Sequence, residues 1–268
     1  MIKPPTSFPA LTLAPTHSAM RIVSVQQINA HTRTLVLDQS LPCQPGQFLM
    51  LWLPGVGEKP FSIAGNDPLS LTIVDVGSFS HALHALQPGE RIWVRGPLGQ
   101  GYTPHGRKLL LIGGGYGAAP LAFLAKSAIA SQQSVDVCLG ARSAADIILQ
   151  ETFHDLGAQV FIATDDGSMG RKGMVTAAAE AAILSNCPNG IYACGPVKML
   201  EAVEVLASKH HLVCQLSWEA HMRCGIGLCG SCELILSGAS AAEVGASPHH
   251  RPGWLVCLDG PVSNTPIQ

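Results

Sequence analysis

Charge is scarce in this chain. Lys and Arg number 16 against 18 Asp and Glu, a formal net charge of −2, so neither nucleic acid nor an anionic membrane has an electrostatic claim on it. No run of about 18 apolar residues occurs, which excludes a spanning helix. Residues 1–19 hold a single lysine and are broken by Pro4, Pro5, Pro9 and Pro15, so the uninterrupted apolar stretch of a signal peptide is lacking too. Nine cysteines without an export signal point to a reducing cytoplasm, where thiols serve cofactors rather than disulfides.

What is present describes a globular protein rich in turns: 47% hydrophobic residues with 28 glycines and 19 prolines. A length of 268 residues accommodates two compact domains and a small appendage. The most informative stretch is Ser217 to Cys232, SWEAHMRCGIGLCGSC. Cys224, Cys229 and Cys232 follow C-x4-C-x2-C, and with Cys257 downstream they make the ligand pattern of a plant-type [2Fe-2S] cluster. A loop wrapping two irons must turn thiolates inward and bring backbone N–H groups close, which Gly225, Gly227 and Gly230 permit. Structural zinc normally takes two close pairs of Cys or His, and only one CxxC is present. A disulfide or plain buried-thiol reading accounts less well for the spacing and the glycines. Cys43, Cys138, Cys187, Cys194 and Cys214 stand outside the motif, most of them expected as small buried side chains.

From Met20 to about Tyr102 the segments RIVSVQQI, TRTLVLD, QFLMLWL, LSLTIVDV and ERIWVRG alternate with Pro45-Gly46, Pro54-Gly55 and Pro88-Gly89. Short strands at this spacing suggest a closed antiparallel barrel, with HALHALQ as a short helix between two strands. Within it lie Lys59-Pro60-Phe61-Ser62-Ile63, Val76-Gly77-Ser78-Phe79-Ser80 and Arg95-Gly96-Pro97-Leu98-Gly99. Singly these are ordinary strand and turn residues, but in this order they resemble the flavin-binding domain of the ferredoxin reductase family. That resemblance implies FAD held by Lys59, Pro60, Phe61 and Ser62 on one strand, with its pyrophosphate on the helix turn from Gly77 to Ser80. The chemistry agrees: the Ser62 hydroxyl can hydrogen-bond the flavin ring, Lys59 supplies a point charge for phosphate, and a helix start offers free N–H groups. The family more often has arginine at the position of Lys59, which would bind phosphate bidentately.

Lys108 to Ile112, KLLLI, has the continuous apolar character of a strand buried on both faces of a parallel sheet. It runs into Gly113-Gly114-Gly115-Tyr116-Gly117 and the helix LAFLAKSAIA, a strand, glycine turn and helix that could carry a dinucleotide phosphate or be purely structural. Further βα alternation follows: SVDVCLGARS, a helix near 144–156, QVFIATDDGS, a helix near 175–184, GIYACGPVKM and a helix near 200–209. This argues an open parallel sheet with ligands at the strands' carboxyl ends, where GGGYG, GARS, TDDGS and CGP converge.

Thr164-Asp165-Asp166-Gly167-Ser168, Ala193-Cys194-Gly195-Pro196, Glu219, Met222, Cys224-Gly225-Ile226-Gly227 and Val256-Cys257-Leu258-Asp259-Gly260-Pro261-Val262 together resemble the electron-transfer subunits of type B dihydroorotate dehydrogenase, over about residues 20–262. The resemblance implies an N-terminal extension (1–19), an FAD-binding β-barrel domain (20–102), an NAD-binding α/β domain (103–216) and a [2Fe-2S] domain (217–268). It places Cys194 and Gly195 beside the nicotinamide and Gly115 and Gly117 beside the diphosphate. It also implies an FMN-containing dihydroorotate dehydrogenase catalytic subunit as partner, in a heterotetramer, which abstracts the substrate proton itself. Electrons would then pass through the cluster and FAD to NAD⁺ in pyrimidine biosynthesis. A diaphorase subunit of a hydrogenase or sulfide-linked oxidoreductase is the other reading. Arg142 and Ser143, after a sheet strand, keep NADP open beside NAD. The interval from Cys232 to Cys257 is longer than in that family and holds SGASAAEVGASPHHRPG, expected as a surface loop in which His249 and His250 are not ligands.

Overall fold

The computed structural model describes residues 16–234 and 253–265. Most of the proline-rich N-terminal extension and most of the interval with His249 and His250 lie outside them.

The first half of the chain forms β1 (Ser18–Asn29), β2 (Thr32–Leu37), β3 (Phe48–Leu53), β4 (Gly57–Ser62), β5 (Gly65–Asn66), β6 (Leu69–Val74) and β7 (Arg91–Leu98), with helix α1 (Ser78–Ala85) between the last two. They make one sheet in the order β4-β3-β7-β1-β2-β6-β5, every pairing antiparallel. Only Ile63 and Ala64 separate β4 from β5, the two ends of that order, so the sheet curls round into the barrel that the turn spacing predicts. Alternation decides what fills it: along β6, Leu69, Leu71 and Ile73 are buried while their neighbours are not. Their partners in the barrel core include Ile22, Leu35, Leu49 and Leu51, each side chain contributing about 1.5–3 kcal/mol by leaving water. β4 has no apolar alternation and contains Pro60. It is an edge strand paired only with β3, where a missing N–H costs no ladder bond.

The second half forms β8 (Lys108–Gly114), α2 (Ala118–Ala130), β9 (Ser134–Ala141), α3 (Gln150–Asp155), β10 (Gln159–Thr164), β11 (Arg171–Lys172), α4 (Val175–Asn186), β12 (Gly190–Cys194), α5 (Val197–Lys209), β13 (Val213–Ser217) and β14 (Val262–Thr265). The sheet order is β11-β10-β9-β8-β12-β13-β14. β8 is buried from Leu109 to Gly114, as its unbroken apolar run requires. The expected helix over 144–156 reduces to a 3-10 turn at Ala144–Asp146 and the short α3, because Leu149 stands between them in the left-handed region at φ 60°. The expected parallel sheet is mixed: β14 pairs antiparallel with β13, Ser217 opposite Val262. The cysteine block is therefore an excursion between two adjacent strands, anchored to the sheet at both ends.

The linker between the two halves is tied down by Gln215 on β13, which is fully buried. Its Nε2 donates to Thr103 O at 2.9 Å and Thr103 Oγ1 at 2.7 Å, and its Oε1 accepts from Thr103 N at 2.8 Å. Gln215→Ala should lower stability by about 1–3 kcal/mol, read as a reduced denaturant midpoint at unchanged slope. A midpoint indistinguishable from wild type would show that the linker is held by other contacts.

Candidate functional site

Strand order in the second sheet reverses at β8, which has β9 on one side and β12 on the other. Ligands bind at such a switch point, outside the carboxyl ends of the strands. A cleft of about 490 Å³ opens there, between the switch point and the barrel. Its barrel wall is Lys59, Pro60, Phe61 and Ser62 on β4 with residues 76–80 at the start of α1, its sheet wall Tyr116, Gly117 and Cys194, and its floor residues 217–222. The sequence-derived flavin residues and part of the nicotinamide set thus share one cavity. Gly115 and Gly195 do not line it; a Cβ on Gly195 would lie 3.0 Å from Gly114 N, so Gly195 packs behind the wall, whereas a Cβ on Gly115 would meet nothing within 4 Å. Arg142 is exposed at the end of β9 and also lies outside the cleft.

On the barrel wall the Ser80 hydroxyl is buried and committed locally. It accepts from the N–H groups of Val76 and Gly77 at 2.9 Å each and donates to Gly77 O at 2.9 Å. Ser80 therefore shapes the turn, leaving the N–H groups of Ser78 and Phe79 at the positive end of α1 for an anion. Phe61 and Phe79 pack with ring centroids 6.0 Å apart beside it.

On the sheet wall, two backbones come into contact. A Cβ on Gly117 would lie 2.2 Å from Cys194 O, so only glycine lets the chain leave β8 and start α2 this close to β12. Cys194 is buried, and burial pushes its thiol up to about 12, with the Glu219 carboxylate adding to the rise. Tyr116 Oη donates to Glu219 Oε2 at 2.9 Å, and desolvation raises the Glu219 carboxyl above its ordinary range although the residue keeps solvent access at the cleft mouth. Tyr116 and Trp218 carry no sequence signal of their own apart from their proximity to the glycine turn and the first cysteine, whereas Glu219 belongs to the residues that carry the family resemblance.

The floor of the cleft runs straight into the cysteine loop: residues 217–222 line the cavity, and Cys224 follows two residues later. Cys232 and Cys257 are buried with their sulfurs 3.2 Å apart. Gly227 N donates to Cys257 Sγ at 3.2 Å and Ile226 N to Cys224 Sγ at 3.5 Å. Ser231 Oγ lies 3.1 Å from Cys229 Sγ and, with backbone N–H groups, brings that thiol down to about 6. Gly225, Gly227 and Gly230 hold φ of 68°, 76° and 69°, the left-handed turns expected of them. Among the described residues no three His, Cys, Asp or Glu side chains converge on one point as for a single ion. The C-x4-C-x2-C spacing and the N–H groups aimed at the Cys224 and Cys257 sulfurs suit thiolate ligation of a two-iron cluster.

A curled antiparallel sheet facing the switch point of an α/β sheet, with a cleft between them, defines a ferredoxin-reductase-like oxidoreductase. Residues 111–205 match the oxidoreductase NAD-binding domain family. The fold is similar to that of an NADH-dependent reduced ferredoxin-NADP oxidoreductase studied for flavin-based electron bifurcation (TM-score 0.78, 25% identity, 92% of this chain and 88% of that one). It also resembles the ferredoxin reductase of carbazole 1,9a-dioxygenase (TM-score 0.62, 27% identity, 75% and 67%). Two relatives bear the name "Probable dihydroorotate dehydrogenase B (NAD(+)), electron transfer subunit". That of Methanopyrus kandleri is 37% identical over 86% of this chain and 84% of its own length, and that of Thermococcus kodakarensis 38% identical over 90% and 95%. The chain belongs to the family of dihydroorotate dehydrogenase B electron-transfer subunits.

Two glycines of the cleft give a contrast. Gly117→Ala should cost about 1–3 kcal/mol, because the new Cβ meets backbone that cannot yield. Gly77→Ala should stay within about 0.5 kcal/mol of wild type, since φ there is −178° and a Cβ meets nothing within 4 Å. Thermal melts of the two variants check this, and equal losses would contradict the packing at the switch point.

Proposed function

We propose that this chain carries electrons from an FMN-containing dihydroorotate dehydrogenase catalytic subunit to NAD⁺, through a [2Fe-2S] cluster on Cys224, Cys229, Cys232 and Cys257 and an FAD in the cleft, in pyrimidine biosynthesis. The observation that carries the reading is the shared segment: the same residues that floor the cleft lead into the cysteine loop, which keeps the two redox sites adjacent. When bound, flavin exchanges hydride with the nicotinamide and single electrons with the cluster.

The chain's own residues bind and orient these groups. Lys59 supplies positive charge for phosphate, and Ser62 an exposed hydroxyl for the flavin ring. The start of α1 offers its N–H groups to the diphosphate, Gly77 leaving room for close approach. Phe61, Phe79, Trp218 and Met222 supply apolar surface that excludes water from the cleft. Gly117 and Gly115 open the phosphate side of the nicotinamide site, and Cys194 with Gly195 borders the ring. Proton abstraction from dihydroorotate is assigned to the partner. The exposed Leu228 (81%), next to Cys229, and Leu258 (53%), next to Cys257, suit the loop to a protein neighbour. No helix among the described residues is long and apolar enough to cross a membrane; a cytoplasmic heterotetramer is the assembly we assign, with residues 20–102, 103–216 and 217–268 as its flavin, nicotinamide and cluster domains.

The purified chain should reduce artificial acceptors with NADH, remain inert toward dihydroorotate, and support dihydroorotate-dependent NAD⁺ reduction once the FMN subunit is added. Substantial dihydroorotate oxidation by this chain alone would refute the division of labour, and no rescue by the cognate FMN subunit would favour a hydrogenase-type or sulfide-linked partner.

Two variants separate the sites. Cys229→Ala should abolish cluster absorbance and leave FAD bound. Gly77→Ala should weaken FAD retention at unchanged stability. Normal two-iron, two-sulfide content in Cys229→Ala, or normal FAD content in Gly77→Ala, would overturn the corresponding assignment.

A further inference from the structure

Arg95 on β7 is the one arginine of the barrel whose side chain is nine-tenths buried, with 9% of it exposed. In sequence it belongs to the stretch 95–99 that resembles flavin-binding residues, yet it does not line the cleft. Its guanidinium faces the cysteine loop instead. Nη2 donates to the main-chain carbonyl of Cys224 at 3.0 Å, and Nε and Nη2 each lie 3.1 Å from Glu58 Oε1 on β4. The same Glu58 oxygen is 2.9 Å from His17 Nε2. The loop is seated on the strands around this contact: a Cβ on Gly225 would touch Met50 at 3.0 Å and Leu98 at 3.2 Å. Arg95 and Met50 are register partners, so the charge and the apolar seat occupy neighbouring positions.

We propose that Arg95 is a positioning residue for the cluster site, which fixes the first ligand, Cys224, and makes the cluster easier to reduce. This rests on the cluster assignment above. A reduced cluster carries one more negative charge than an oxidised one, so a buried cation bonded to a ligand residue's carbonyl favours reduction. Glu58 opposes this only partly. Its side chain is 25% exposed against 9% for Arg95, so water screens the carboxylate better than the guanidinium. Nη2 is shared between the Glu58 carboxylate and the Cys224 carbonyl, so the carboxylate holds the planar fork in the orientation that reaches the loop.

The test is an EPR-monitored redox titration of the full-length chain, with iron and acid-labile sulfide measured on the same samples. Arg95→Gln keeps an N–H donor and removes the charge; it should retain the cluster and lower the one-electron equilibrium for reduction at least tenfold, 59 mV. Arg95→Lys, which restores the charge, should stay within threefold of wild type. Glu58→Gln removes the countercharge and should shift the equilibrium at least threefold toward reduction. An Arg95→Gln protein with a full cluster and an unchanged or raised potential overturns the proposal. If the Arg95 variants fail to hold a cluster, Glu58→Gln decides: a full cluster with no upward shift overturns the proposal, and an upward shift supports it. A wild-type chain that holds no iron and sulfide would instead remove the cluster assignment on which the role depends.

Discussion

The pairing of β13 with β14 fixes where everything else in the functional region can be. Ser217 lies opposite Val262, so a chain segment that leaves the sheet at residue 218 must be back beside its own starting point by residue 261. The closure is reinforced from both sides. Trp218 N donates to Pro261 O at 2.9 Å, and Trp218 Nε1 to Ser263 Oγ at 2.8 Å. Gln100 N donates to Gly260 O at 2.5 Å, which joins the end of the barrel to the same point. Barrel, sheet and cysteine loop therefore meet at one junction. Their relative placement follows from backbone hydrogen bonds with net values near 1 kcal/mol each, assembled cooperatively and buried together.

From this junction the cleft acquires its two unlike walls. The sheet wall is rigid because β8 and β12 are both buried and the Gly117 turn touches Cys194 main chain. The barrel wall is an edge strand and the first turn of a helix, with Lys59 and Ser62 exposed. A planar ligand can thus be held against a hard surface on one side while polar groups address it from the other. The buried Cys194 thiol stays protonated at neutral pH, its value near 12 leaving it as a neutral contact surface rather than a nucleophile.

Much of this was legible in the amino-acid order, and the exceptions share a cause. KLLLI announces itself as a doubly buried strand because the four residues after Lys108 are all apolar, and C-x4-C-x2-C sets the cluster expectation by spacing alone, without help from local structure. β4 escapes periodicity: Gly-Glu-Lys-Pro-Phe-Ser has no alternation and pairs along only one side. β14 is equally silent, since Val-Ser-Asn-Thr becomes a strand only through a partner far away in sequence. The helix expected over 144–156 failed at a single backbone torsion, that of Leu149, which composition does not announce. At the site, Gly117 and Cys194 could be named from their strand ends, but the hydrogen bond of Tyr116 to Glu219 and the turn of Arg95 away from the cleft depend on tertiary contacts alone.

On the proposed assignment, collecting four thiolates on one loop is a like-charge problem, and the donors around the loop answer part of it. Cys257 is buried, and burial followed by the neighbouring Cys232 pushes its thiol up to about 12, so its ionised form needs help; Gly227 N supplies it. Cys229 is exposed and already brought down to about 6 by Ser231. Of the two buried thiols Cys257 is met by a backbone N–H, as is the half-buried Cys224, and such donors add no net charge. Backbone dipoles orient charge without neutralising it, so a site with four negative ligands still favours its least negative state unless a full cation stands nearby. Among the described residues that contact the loop's backbone, Arg95 brings such a charge out of solvent, and it does so from the barrel, the domain to which we assign the flavin. On the proposed cluster assignment, the residue that seats the cysteine loop on the barrel is therefore also placed to set how readily an electron rests there.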